Sequence, residues 1–340
     1  MKVIDLKNAL KLHFSVTKKT FKPITEYIYI NNDEIRSTDL ETYVVTIPEI
    51  PIPIVACLSS LDLKKFLISL DNDMELELKK MDTFINIKYG KNNNFKLPIS
   101  IEEFPTLDDK QDCLYTIKLN KNIFEQFENA LMFCSKDTTD NFNGVYVTDK
   151  NIYSTNREIV YSGKYDFNIG DSFTYIPAKI IKFILDNKDL VDNLHVTETK
   201  ILVESVTNKI YCMKKMDVML PDFNKIFLEL NESSNDSNIT ANEVIELSKS
   251  LNRFKNFDDF INLKISGGKI ILNNDRMNEE IILNDNFIQT GTVKCSVEYL
   301  NKILNLCRNL YLIKSENKNN GKMGGYHINF KIIAALVSFT

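Results

Sequence analysis

One amphipathic pattern recurs three times in this chain at a domain-sized interval, and that recurrence limits the possible folds more than any other feature. In residues 176–186, Pro177 sits where a first helical turn tolerates proline, Ile181, Ile184 and Leu185 form an apolar stripe, and Lys179 and Lys182 share another face. Residues 60–70 repeat the arrangement, with Leu63, Phe66, Leu67 and Leu70 inward and Lys64 and Lys65 outward. Residues 296–308 repeat it again, with Val297, Leu300, Ile303, Leu304 and Cys307 inward and Lys302 outward. Lys65, Lys182 and Lys302 mark the copies, 117 and 120 residues apart. Solenoid periods run to about 20–50 residues, so an interval this long belongs to whole domains. A chain of 340 residues holds three of them at an ordinary size.

A second helical pattern precedes each of these. Residues 6–14 put Leu6, Ala9, Leu10 and His13 on one face and Lys7 and Lys11 on another. Residues 121–135 gather Ile123, Phe124, Phe127, Ala130, Leu131 and Cys134, and Thr240 with Glu243 makes a capping box for a helix ending near Phe254. Strand-like runs fill the intervals: 27–30, 34–37, 43–47, 74–78, 84–89 and 94–98, then 144–147, 152–154, 158–161, 194–196, 200–205 and 210–213. Hairpin turns follow at 266–269 and 273–278, with a last apolar strand at 328–336. The expected class is α+β, three repeated domains with two helices each on antiparallel sheets. The expected boundaries are 1–112, 113–222 and 223–340.

Chemistry is sparse. There is no GxGxxG, no Walker loop and no HExxH, and His13, His195 and His327 show neither metal-ligand spacing nor a triad pattern. No enzyme activity, metal or cofactor is therefore expected, and His13, on an apolar face, reads as a satisfied core residue. Cys57, Cys113, Cys134, Cys212, Cys295 and Cys307 form no CxxC and lie mostly among apolar residues, as buried reduced thiols do. With no signal-peptide pattern and no apolar run near the ~18 residues of a membrane span, a cytoplasmic location is expected.

Charge is distributed unevenly. The six proposed helices carry 12 basic and 7 acidic residues, a net +5, while the remainder of the chain carries −9. Only the helix at 121–135 runs against the trend, through Glu125 and Glu128. Basic helices in an otherwise acidic protein suit a polyanion held by salt-dependent contacts that do not read sequence. The candidate contacts are Lys7, Lys11, Lys64, Lys65, Lys179, Lys182, Lys249, Arg253 and Lys302.

Four motifs then resemble one family. Ser37-Thr38-Asp39-Leu40-Glu41 is similar to its Thr-Asp-Leu-Glu strand; Phe95-Lys96-Leu97-Pro98, followed by Ile101-Glu102-Glu103-Phe104-Pro105 and Leu107-Asp108-Asp109, resembles the segment closing its first domain. Phe142-Asn143-Gly144 and Ser154-Thr155-Asn156-Arg157 resemble its Leu-Asn-Gly and Ala-Thr-Asp-Gly-His-Arg strands, and Leu220-Pro221-Asp222-Phe223 its Phe-Pro-Asp-Tyr segment. The family is the DNA polymerase III beta subunit, the bacterial DNA sliding clamp. The resemblance implies a homodimeric ring around double-stranded DNA that tethers the replicative polymerase, is opened by a clamp loader, and takes partner peptides in a pocket between its second and third domains. The matching pocket positions are Phe142, Thr155, Arg157, Pro221, Lys225, Ile226, Ile333 and Leu336. Two departures stand out: Arg157-Glu158-Ile159 replaces Gly-His-Arg, and the usual Met-Pro-Met-Arg-Leu ending is absent. The rival expectation is a clamp-like binding platform, or a competitor for clamp partners, that forms no closed ring.

Overall fold

The computed structural model describes the chain except residues 102, 106–111, 168, 171, 214–217, 224–240, 267, 283–290, 307–308, 315–320, 328–329, 336–337 and 340. Its element order repeats three times. The first repeat runs α1 (Val3–Val16), β1 (Tyr27–Ile30), β2 (Ile35–Thr38), β3 (Thr42–Thr46), β4 (Ala56–Ser59), α2 (Ser60–Ile68), β5 (Leu76–Lys80), β6 (Phe84–Tyr89) and β7 (Asn93–Pro98). The second begins with β8 (Tyr115–Lys118) and continues α3 (Lys121–Leu131), β9 (Gly144–Val147), β10 (Asn151–Thr155), β11 (Ile159–Lys164), β12 (Thr174–Pro177), α4 (Ala178–Asp186), β13 (Asn193–Val196), β14 (Lys200–Glu204) and β15 (Asn208–Met213). The third runs α5 (Ala241–Lys255), β16 (Phe260–Ser266), β17 (Lys269–Asn273), β18 (Asn278–Ile282), β19 (Gly291–Ser296), α6 (Val297–Leu306), β20 (Asn309–Lys314), β21 (Gly321–His327), β22 (Phe330–Ala335) and a short β23 (Ser338–Phe339). Helix, four strands, helix, three strands is the unit.

Each second helix leaves directly from a strand: α2 from β4, α4 from β12, α6 from β19. These launching strands are a correction to the sequence reading, which placed Pro177 inside the first helical turn. Pro177 is the last residue of β12, paired with Gly144 of β9, and α4 opens at Ala178. Side-chain burial follows the expected faces in part: Leu70 and Leu185, expected inward, are only half-buried, and Ile180, outside the expected stripe, is buried. Leu63, Phe66 and Leu67 are buried while Lys64 and Lys65 are exposed; Ile180, Ile181 and Ile184 are buried while Lys179 and Lys182 are exposed.

By contacts the chain forms two compact units, residues 1–124 with 182–216, and residues 125–181 with 217–340. The first holds an eight-stranded sheet, β4-β1-β2-β3-β15-β14-β13-β8, and a three-stranded sheet, β5-β6-β7. Its core joins Leu6 and Leu10 of α1 to Ile28, Ile35, Leu63, Leu67, Ile85 and Leu97. The second holds a seven-stranded sheet, β12-β9-β10-β11-β22-β21-β20, and a five-stranded sheet, β18-β17-β16-β19-β23. All pairings are antiparallel, so alternate residues face the helices and the alternating patterns read from the sequence are the expected consequence. One cluster, the aromatic rings of Tyr146, Tyr153, Tyr175 and Phe223 with Val160, forms a separate core in the second unit. Gly144 belongs beside it: a Cβ there would sit 2.5 Å from the Tyr175 ring, so only glycine lets β9 lie this close.

The repeat extends to individual hydrogen bonds. In the turn between β2 and β3, Thr38 Oγ1 accepts from Leu40 N at 2.9 Å, and Asp39 Oδ1 accepts from the Glu41 and Thr42 amides at 3.1 and 2.7 Å. In the turn between β10 and β11, Thr155 Oγ1 accepts from Arg157 N at 2.9 Å, and Asn156 Oδ1 accepts from the Glu158 and Ile159 amides at 3.1 and 3.0 Å. Leu40 and Arg157 both take left-handed backbone, φ 77° and 80°. The family pattern has glycine where Arg157 stands, and the backbone shows why. Glycine adopts this conformation without penalty, whereas another residue is strained there by roughly 1–3 kcal/mol.

The cysteine expectation needs one correction. Cys57, Cys212 and Cys295 are buried and Cys134 is partly so, but Cys113 is exposed, because it precedes the terminal strand β8. Cys307 lies outside the described residues. No helix among the described residues is long and apolar enough to cross a membrane.

Candidate nucleic-acid interface and peptide cleft

Lys11, Lys64, Lys65, Lys179, Lys182 and Lys249 are exposed. Lys7, Arg253 and Lys302 are tied to other parts of the fold. Lys7 Nζ donates to Leu70 O at 3.2 Å and Asn72 Oδ1 at 2.8 Å, capping the end of α2. Arg253 grips Glu279 of β18 through Nε at 2.7 Å and Nη2 at 2.5 Å, and this bond holds the Glu279 carboxyl below the usual carboxylate range. Lys302 pairs with Glu298 one turn earlier at 2.8 Å, donates to Met132 O at 3.1 Å and lies over the Phe133 ring, so α6 is fastened to the end of α3. The ion pairs of Arg253 and Lys302 reduce what each of them gains from a phosphate.

The second candidate site is a cleft of about 580 Å³ in the second unit, lined by Asp137, Thr139, Asp140, Asn141, Phe142, Tyr146, Arg157, Met219, Leu220 and Pro221. Its walls come from three segments. The loop after α3 is held by short-range bonds: Ser135 N to Phe142 O at 2.9 Å, Thr139 N to Asp137 Oδ1 at 2.9 Å and Phe142 N to Asp140 Oδ1 at 3.1 Å. The β10–β11 turn delivers Arg157, whose guanidinium lies 5.3 Å from the centre of the Phe142 ring while Nη2 donates to Asp140 Oδ1 at 3.2 Å. The third wall, Met219 to Pro221, is anchored by Phe223, stacked on Tyr153 at 4.5 Å and edge-on to Tyr146 at 5.5 Å. The result is an apolar floor of Phe142, Tyr146, Leu220 and Pro221, rimmed by one cation and two carboxylates. Such a cleft suits a short peptide with apolar anchors.

Of the eight pocket positions expected from the sequence, Phe142, Arg157 and Pro221 line this cleft together. Thr155 does not; it is buried and serves the turn that presents Arg157. Ile333 lies on β22 opposite Val160 of β11, with its side chain outside the described residues, where Lys225, Ile226 and Leu336 also lie. One residue escaped the sequence reading. Tyr299 of α6 grips the back of the Arg157 turn: its hydroxyl donates to Glu158 Oε2 and accepts from Asn156 Nδ2 at 2.9 Å.

Neither a protein-family profile nor a curated protein matches the sequence. Solved structures do. A sliding clamp from Caulobacter crescentus superposes with a TM-score of 0.83 at 16% identity, covering 99% of this chain and 98% of its own. The fold is that of the bacterial DNA polymerase III β sliding clamps. Pseudomonas aeruginosa and Helicobacter pylori clamps agree, with TM-scores of 0.82 and 0.81 at 15% and 14% identity, each covering 99% of this chain and 98% of theirs. The first of these is bound to griselimycin and the second to a DNA ligase peptide. The sliding-clamp fold explains the threefold repetition of this chain, since it consists of three repeated domains.

Proposed function

We propose that this protein is a sliding clamp: two copies close head to tail into a ring around duplex DNA, and the cleft at Phe142, Arg157 and Pro221 tethers a DNA polymerase and other partners by short peptide segments. The observation that carries this reading is the state of the sheet edges. The third strand of the first repeat, β3, pairs with the last strand of the second, β15, in register from Asn208 opposite Thr46 to Cys212 opposite Thr42. The third strand of the second repeat, β11, likewise pairs with β22, from Ile159 opposite Ala334 to Gly163 opposite Phe330. The third strand of the last repeat, β18, and the last strand of the first, β7, should pair by the same rule. Among the described residues, β18 pairs only with β17 and β7 only with β6.

A second copy supplies what each edge lacks. Pairing β18 of one copy with β7 of the other, twice, joins unlike surfaces and closes the assembly, and it removes edges that would otherwise recruit strands indiscriminately. The domain boundaries 1–112, 113–222 and 223–340 belong to this reading, as do the clamp loader as a partner and a cytoplasmic site of action. The nine helix cations then make phosphate contacts weak enough to permit sliding, and no base is read.

Light scattering at micromolar concentration tests the assembly. The expected mass is twice the 39.3 kDa of one chain. Persistence of a single-chain mass, together with loss from closed circular and linear DNA at the same salt concentration, would refute the ring and favour the open binding platform. Retention on a circle that is lost once the circle is cut would support encirclement.

A further inference from the structure

Away from the cleft and the helix cations, one group of side chains has a chemistry of its own. Cys113, the exposed cysteine just before β8, places Sγ 3.8 Å from Nδ1 of His195 on the adjoining strand β13. The other imidazole nitrogen, Nε2, is 2.8 Å from Glu204 Oε1 on β14. A carboxylate only accepts, so Nε2 carries the hydrogen and Nδ1 is the accepting nitrogen, bonded by the Thr116 hydroxyl on the side of the thiol. Thr116 Oγ1 lies 2.7 Å from that nitrogen and 3.5 Å from the sulfur, and the thiol donates to Tyr115 O at 3.2 Å. A nucleophile just before β8, a base on β13 within reach of it and a carboxylate on β14 orienting the base are thus set side by side. The remaining described cysteines are buried or half-buried, and burial pushes the Cys134 and Cys295 thiols up to about 12.

We propose that Cys113 is a modification site for low-molecular-weight disulfides such as oxidised glutathione. The thiol turns from Tyr115 O and passes its proton to the Thr116 hydroxyl, which gives its own to His195 Nδ1, and Glu204 stabilises the imidazolium. The Cys113 sulfur attacks one sulfur of the disulfide; a mixed disulfide forms to Cys113, the original S–S bond breaks, and the released thiolate takes up a proton. The incoming disulfide is itself the electron acceptor, so no other oxidant takes part. This site is independent of ring closure and of the peptide cleft.

The test is stopped-flow reaction of the native protein with the aromatic disulfide DTNB at pH 7, with intact mass after exposure to oxidised glutathione. One thiol per chain is expected in a fast phase, and one glutathione adduct. Cys113→Ser abolishes both. His195→Gln, which leaves Cys113 exposed, slows the fast phase at least about tenfold, and Glu204→Gln slows it in the same direction, with circular dichroism confirming that each variant is folded. A fast phase that survives Cys113→Ser, or a rate unchanged in folded His195→Gln, would overturn the proposal.

Discussion

Helix α1 carries one imidazole, that of His13, into the junction where β3 of the first repeat meets β15 of the second. His13 Nδ1 lies 2.8 Å from Ser37 Oγ, Nε2 lies 3.0 Å from Thr46 Oγ1, and Thr46 Oγ1 donates onward to Asn208 Oδ1 at 2.8 Å. With its own hydrogen given to Asn208, Thr46 accepts from Nε2–H, which leaves Nδ1 to accept from Ser37. The neutral imidazole is fully satisfied. Its burial lowers the pKa from 6.5 to about 3, because a protonated ring would carry charge without water around it. Below pH 6.5 the unfolded chain therefore binds a proton that the folded chain refuses, and stability falls as pH falls. The shift sets a ceiling of about 5 kcal/mol, and at pH 5 the loss is about 2 kcal/mol, at about 1.36 kcal/mol per pH unit. Glu279 and Glu298, whose carboxyls are held low by Arg253 and Lys302, lose their contributions only at lower pH, and comparison with a chain lacking only the His13 imidazole cancels the other two histidines. The assay is urea unfolding followed by circular dichroism at pH 7 and pH 5, for wild type and His13→Gln. The variant starts less stable, yet its disadvantage shrinks by about 2 kcal/mol at pH 5. An equal difference between the two proteins at both pH values would refute the reasoning.

Three other outcomes are expected. Reversing Lys64 and Lys65 to Glu should weaken retention on DNA and flatten its salt dependence by about 0.9 per lost phosphate contact, with dimer mass unchanged, as binding and light-scattering assays would show. Arg157→Gly should raise the melting temperature, since it removes left-handed strain of roughly 1 kcal/mol, while on the proposed function it weakens capture of a short peptide with apolar anchors, because the guanidinium over Phe142 is lost; fluorescence anisotropy measures the second effect. Tyr299→Phe removes only the hydroxyl that holds Asn156 and Glu158, and should lower affinity for the same peptide severalfold. Combining it with Glu158→Gln should then add little, as a double-mutant cycle would reveal.

What the sequence disclosed about the fold follows from the physics of its periods. A helix of two or three turns shows its buried face through spacing, and Leu63, Phe66 and Leu67 of α2 or Ile181 and Ile184 of α4 could be read directly. The half-exposed strand β6 announces itself by alternation, and its bounds, Phe84–Tyr89, were legible to the residue. The launching strands were not. Along β4 and β12, three successive residues are buried, so period two vanishes, and four residues are too few to separate a buried strand from the start of the helix that follows. Pro177 was ambiguous for the same reason, being acceptable both at a strand end and in a first helical turn.

Sites are assembled across distances that periodicity does not record. Phe142, Arg157 and Pro221 line one cleft and each lies in a local motif resembling a known family, although only the folded chain shows that Thr155 holds the turn that presents Arg157. Tyr299 carried no local signal, since its partners Asn156 and Glu158 lie 143 and 141 residues away. Cys113 and His195, 82 residues apart, were likewise invisible as a pair, and neither has a neighbour in sequence suggesting reactivity. What joins them is strand pairing, His195 opposite Thr116 and Val196 opposite Tyr115. Register is therefore the step at which chemistry enters this protein. A slip of one residue between β8 and β13 would turn His195 to the other face and separate it from Cys113, leaving the sheet intact and the site absent.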